Sequence, residues 1–147
     1  MNLTLERSGA LAPLDLGLPR SEGIVIAFWI VTGLFCLEMI FTAYYELLVL
    51  PEAAQAFSRL GFPADYFRVE LSWAKVVGVA ALVIPSVPAR LKEWAYAGFA
   101  INLVSALIAH ISISDSAVAF VPSTLTSLLW VLSYFFWRRL SESATSA

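Results

Sequence analysis

Four stretches of the chain are apolar almost without interruption: residues 24–50, 67–84, 92–112 and 117–137. Each is close to the roughly 20 residues that a helix needs to cross a bilayer. Pro51 closes the first stretch and Pro85 the second, because proline cannot continue a helix hydrogen-bond ladder. None of the stretches alternates with period 2. A bilayer demands backbones that satisfy their own hydrogen bonds, so the pattern predicts helices and not barrel strands. Pro122, early in the fourth stretch, marks either a kink or the first turn of that helix. Residues 51–65 begin with Pro51, end at Gly61 and Pro63, and carry Ala54, Phe57 and Leu60 at helical spacing. This segment predicts a short interfacial helix. The other connections, 85–91 and 113–116, are brief, which makes successive spans antiparallel neighbours. The expected fold is all-α: a four-helix transmembrane bundle over residues 23–140, with a short interfacial helix between the first and second spans. Residues 1–22, with Pro13, Gly17 and Pro19, and residues 141–147 are expected to be flexible tails. The first of these lacks the basic-then-apolar order of a signal peptide.

Composition agrees with a membrane protein and excludes several alternatives. Of the 147 residues, 60% are hydrophobic and 14% charged, against roughly 45–50% and 25% in soluble domains. Mean hydropathy is +0.80. A water-soluble domain of this size leaves too much surface exposed to hide that excess. The net charge of −2 and the lack of a basic cluster argue against a nucleic-acid partner. The single cysteine, Cys36, excludes an internal disulfide, a dithiol pair and a thiolate zinc site. It reads as a packing residue.

Lysine and arginine placement orients the bundle. Arg7, Arg20, Arg90, Lys92, Arg138 and Arg139 fall on one side of a four-span chain, and only Arg59 and Arg68 on the other. The expectation is an inner cell membrane with both termini cytoplasmic. Trp94, Tyr96, Trp130, Tyr134 and Trp137 would then stand at the cytoplasmic interface, and Tyr44, Tyr45 and Tyr66 at the outer one.

Ionisable groups inside spans are costly in lipid, so they normally face the bundle interior and pair. Glu38 and Glu46 lie in the first span, Glu70 and Lys75 in the second, Asn102 and His110 in the third. At about 1.5 Å per residue, Glu38 sits roughly 18 Å from the outer end, Asn102 roughly 15 Å and Lys75 roughly 12 Å, while Glu46, Glu70 and His110 lie within about 6 Å of it. Two layers are expected. In the inner one Glu38 and Lys75 neutralise each other and Asn102 completes the hydrogen bonds. The outer one gathers Glu46, Glu70 and His110, with Tyr45 and Asp115 nearby. Glu38, Thr42, Tyr45 and Glu46 share a helical face, as do Asn102, Ser105, Ala106, Ala109 and His110. Arg68, Leu71, Ser72, Lys75, Gly78 and Val79 make a comparable face, from which Glu70 is turned about 140°. Two carboxylates and an imidazole can carry out acid–base chemistry when burial raises a carboxyl pKa. Glu38, Glu46 and His110 are therefore the candidate catalytic residues, and Lys75, Asn102, Glu70 and Tyr45 the candidate ligand-binding ones. Their spacing matches no metal motif. The same groups could instead only hold helix register.

From Leu60-Gly61-Phe62-Pro63 to Lys75, and from Arg90-Leu91-Lys92-Glu93-Trp94-Ala95-Tyr96-Ala97-Gly98-Phe99 to Asn102 and His110, the chain resembles the DoxX-like membrane proteins. The family often has Gly-Asp soon after the histidine, where this chain has Ser114-Asp115. The resemblance implies a four-helix membrane bundle with Glu38, Lys75, Asn102 and His110 as interior polar positions. It also implies a link to quinone-dependent redox systems, since the family is named for a subunit associated with thiosulfate:quinone oxidoreduction. Three functions follow as expectations. One is a quinone-linked membrane subunit that binds a lipophilic small molecule and draws its redox centre from a partner protein, with no intrinsic cofactor. Another is a self-contained acid–base enzyme, such as an isomerase, cyclase or epoxide-opening enzyme, on a lipophilic substrate. The third is a structural subunit of a membrane complex or homo-oligomer.

Overall fold

The computed structural model describes residues 20–48, 51–61 and 65–145. They form five helices: α1 Arg20–Leu47, α2 Pro51–Arg59, α3 Asp65–Val83, α4 Ala89–Ser112 and α5 Ala117–Thr145. The described part is entirely helical, as the absence of alternation predicts. Helices α1, α4 and α5 are long and apolar enough to cross a membrane. Helix α3 has 19 residues and falls short in apolarity, because it carries Asp65, Arg68, Glu70 and Lys75. Most of residues 1–22, and residues 62–64 of the loop motif, lie outside the described residues. Helices α1 and α5 extend a few residues past 23 and 140.

Helix α1 packs on α3 and α5, and α4 also packs on α3 and α5, closing a four-membered ring; α2 touches α1 and α3. The chain runs up and down. Lys92 at the start of α4 donates to the Leu82 and Ile84 carbonyls at 3.0 Å each, so the end of α3 meets the start of α4. At the opposite end Arg59 of α2 pairs with Asp115 of the α4–α5 loop. Large apolar side chains cover the outside, among them Leu37, Phe41, Val77, Ile101 and Val118. In water such a surface would drive association; in acyl chains it costs nothing.

The half of the bundle near the termini is solid. Phe28, Phe35, Cys36, Val79, Leu82, Tyr96, Phe99 and Trp137 pack there, with Phe35 and Phe99 edge to face at 5.0 Å. Tyr96 and Trp137 are thus core residues and not interfacial ones (1% and 8% exposed). Tyr96 turns inward because it completes a hydroxyl node: its OH lies 2.8 Å from Ser133 Oγ, which lies 2.7 Å from Thr32 Oγ1. The node ties α1, α4 and α5 together where lipid offers no alternative partner.

Gly78 lets α3 approach α4. A Cβ there would lie 2.7 and 2.9 Å from the Phe99 ring, which Phe35 holds in place. Gly78→Ala is expected to cost about 1–2 kcal/mol, overpacking outweighing the better helix propensity of alanine. Thermal unfolding in detergent measures this, and unchanged stability would mean that Phe99 swings aside.

Candidate functional site

The other half of the bundle holds an ion pair and a cavity. Glu46 and Lys75 are both buried, with Lys75 Nζ donating to Glu46 Oε1 at 2.6 Å. Ser72 Oγ lies 2.9 Å from Glu46 Oε2 and 2.8 Å from the Arg68 carbonyl. Arg68, only 1% exposed, donates to the Glu46 carbonyl through NH1 and to Asp65 Oδ1 at 3.2 Å through NH2. That carbonyl is one of the four that the end of α1 leaves unpaired. Since α1 has no basic residue in its last turn, Arg68 caps it from α3.

The expected Glu38–Lys75 pair is therefore corrected: Lys75 pairs with Glu46, and the two-layer arrangement collapses at this point. The reason lies in side-chain direction. Cβ atoms lean toward the N-terminus of their own helix. On α1 that direction runs inward from the outer end, and on antiparallel α3 it runs outward. Glu46 and Lys75 lean toward each other, while Glu38 leans away.

The cavity, about 520 Å³, lies between α1, α3, α4 and α5, with Phe57 and Leu60 of the α2 region on its wall. Its polar lining includes Glu38, Glu46, Lys75, Asn102, Ser123 and Thr126; Met39, Leu71, Ile101 and Leu103 supply apolar wall. Glu38 and Arg68 have, among the described residues, the buried side-chain atoms without a hydrogen-bond partner, Oε2 and Nε. Thr126 stands beside the Glu38 carboxyl, but its own hydroxyl turns to the Pro122 carbonyl at 2.9 Å. Pro122 lies inside α5 and on the cavity wall.

The remaining candidates lie elsewhere. Glu70 is exposed on the far side of α3, as its angular offset foretells. Tyr45 is 36% exposed and does not line the cavity. His110 joins a separate cluster at the outer end, its Nδ1–H donating to Asp115 Oδ2 at 2.9 Å. Ser114 makes this possible. It adopts φ +49°, the left-handed conformation that glycine prefers. The Asp115 N–H reaches the His110 carbonyl at 3.1 Å and the Ser114 N–H the Ile111 carbonyl at 3.0 Å, a Schellman turn. Serine thus takes the left-handed position of this turn, and the turn sets Asp115 between His110 and Arg59. Thr32, Ser133 and the capping role of Arg68 escaped sequence reasoning. The shared face of Arg68, Ser72 and Lys75 was the available signal for the last.

Asp115 lies in the α4–α5 loop. The His110 hydrogen bond, chiefly, together with the Ser116 N–H and the Arg59 charge, holds its carboxyl below its ordinary 3.8. A depressed folded value means that the stabilisation is fully present above about 3.8 and is lost as pH falls through the folded value. The stability gap between wild type and Asp115→Asn is expected to close as pH falls below about 4. A gap that does not change with pH in melting curves would refute the assignment.

Among the described residues, a helical bundle with three helices long and apolar enough to cross a membrane and a buried ion pair points to an integral membrane protein. The chain matches the DoxX-like family over residues 30–132 and belongs to that family. No curated protein and no solved structure matches it.

Proposed function

We propose that this DoxX-like protein binds a lipophilic small molecule, a membrane quinone, in the cavity beside Glu38, and acts as a quinone-linked subunit with a redox partner protein. The observation that carries the reading is that Glu38, whose buried Oε2 has no hydrogen-bond partner among the described residues, lines a cavity of about 520 Å³. Small-molecule sites have volumes of roughly 300–1,000 Å³, mostly apolar walls and a few placed polar groups. A buried carboxyl oxygen without a donor costs stability, and the hydroxyl of the reduced, quinol form would supply that donor once the carboxyl turns toward the cavity. Asn102 and Lys75 offer donors for a quinone oxygen. The partner is required because quinone reduction needs electrons, and no dithiol exists in a chain with one cysteine.

In this reading α3 is the remaining span, with Arg68 and Lys75 turned inward against Glu46 of α1, and α2 lies at the outer interface. Six Lys and Arg against two support a reading with both termini in the cytoplasm of an inner membrane, which a C-terminal topology reporter tests.

The protein in nanodiscs, titrated with a short-tailed quinone held in its quinol form, is expected to bind saturably. Glu38→Gln is expected to weaken binding about tenfold, the equivalent of one buried hydrogen bond to a charged group. No saturable binding, or wild-type affinity in Glu38→Gln, would overturn the proposal. Turnover of a lipophilic substrate without an electron partner would favour the acid–base reading instead.

A further inference from the structure

A second recess, about 610 Å³, runs along the outside of the α3–α4 seam. It shares Leu71, Lys75, Gly98 and Asn102 with the inner cavity. The two spaces are therefore the two sides of one thin wall. The recess is chemically graded. Glu70, Lys75 and Asn102 lie toward its outer end, beside the cavity; toward the other end, near the end of α3 and the start of α4, stand Ala81 and Leu91. The small residues Ala74, Gly78, Ala81 and Ala95 also line it.

The two glycines of the seam differ. The space at Gly78 is filled by Phe99, whereas a Cβ at Gly98 would meet nothing within 4 Å. Gly98 thus presents no side chain where recess and cavity share their wall. A ligand dissolved in the bilayer would arrive through the recess.

We propose that the α3–α4 recess is the tail subsite of the ligand in the cavity and that Gly98 is the doorway between them. The occupant is a single-tailed amphiphile of the isoprenoid-quinone class: its head lies by Glu38 and Asn102, and its tail runs outward past Gly98 toward Ala81 and Leu91. This inference rests on the cavity reading above and adds the route and the tail requirement.

The test uses the full chain in nanodiscs and three quinones with the same head group, each held in its quinol form and carrying no tail, two isoprene units or four, with concentrations referred to the lipid phase. Wild type is expected to gain about tenfold in affinity from no tail to four units. Ala81→Leu, which alters the recess but not the cavity, should remove most of that gain and leave the tailless quinone unaffected. Gly98→Leu should remove the gain and slow association of the tailed quinones. A four-unit quinone with a photoreactive tail should label wild type within residues 73–98, which keeps the test valid if a variant folds poorly. Glu38-dependent binding with no dependence on tail length, a full tail gain in both variants, or labelling confined to other helices would overturn the tail subsite and leave the cavity reading standing. Failure of all three quinones to bind would overturn the cavity reading itself.

Discussion

Lys75→Met is expected to destabilise the protein by about 3–5 kcal/mol, the usual cost of removing one member of a buried ion pair. The side chains of Lys75 and Glu46 are 7% and 11% exposed, so solvent cannot replace the lost charge. Glu46 would keep the Ser72 hydroxyl as its donor, too little for a carboxylate within a membrane bundle. Glu46→Leu should be nearly as harmful, since it strands the ammonium. The double variant Glu46→Leu/Lys75→Met is expected to recover most of the loss, because a buried pair replaced as a unit by apolar groups is often neutral. A double-mutant cycle on thermal or denaturant unfolding in detergent gives the coupling. Additive losses would mean that the two residues do not act as a pair. If Lys75→Met cost less than Glu38→Gln, the pairing of Lys75 with Glu46 would be wrong.

Arg68→Leu is expected to cost about 3 kcal/mol. It removes a charged hydrogen bond from the Glu46 carbonyl, worth about 1.5–3 kcal/mol, and the favourable charge at the C-terminal end of α1. The exposed link to Asp65 adds little, since that carboxylate side chain is 76% exposed. Arg68→Lys should not restore stability, because an ammonium lacks the planar fork that serves both the Glu46 carbonyl and Asp65. The expected structural signature is fraying at the end of α1, read as faster hydrogen exchange at residues 44–47. Normal protection in Arg68→Leu would exclude the capping role.

The helices were legible in the chain because the bilayer rule is local: an unbroken apolar run closed by proline has few alternatives to a helix. The helix that opens residues 51–65 was readable from Pro51 and the helical spacing of Ala54 and Phe57, and the more buried face of α2 carries Ala53, Ala54 and Phe57. The candidate site was legible only in part. Glu38, Glu46, Lys75 and Asn102 share one cavity, as inward convergence of polar faces demands. Helical rise locates a Cα but says nothing of where a long side chain ends, and that is why the Glu38–Lys75 pairing failed. Tyr96 and Trp137 looked interfacial because aromatic residues near a span end usually are. Whether such a ring turns to the headgroups or to Ser133 depends on a neighbour more than thirty residues away.

Apolar run length, proline positions and charge scarcity were enough to indicate a helical membrane protein, since these depend on solvent and backbone chemistry alone; membership of the DoxX-like family rests on the match over residues 30–132. The choice of carboxylate for Lys75, the guanidinium cap on α1, the burial of Tyr96 and the unpartnered oxygen of Glu38 required the packed bundle. Each depends on which way side chains lean on antiparallel neighbours, and that direction exists only once the helices are in contact.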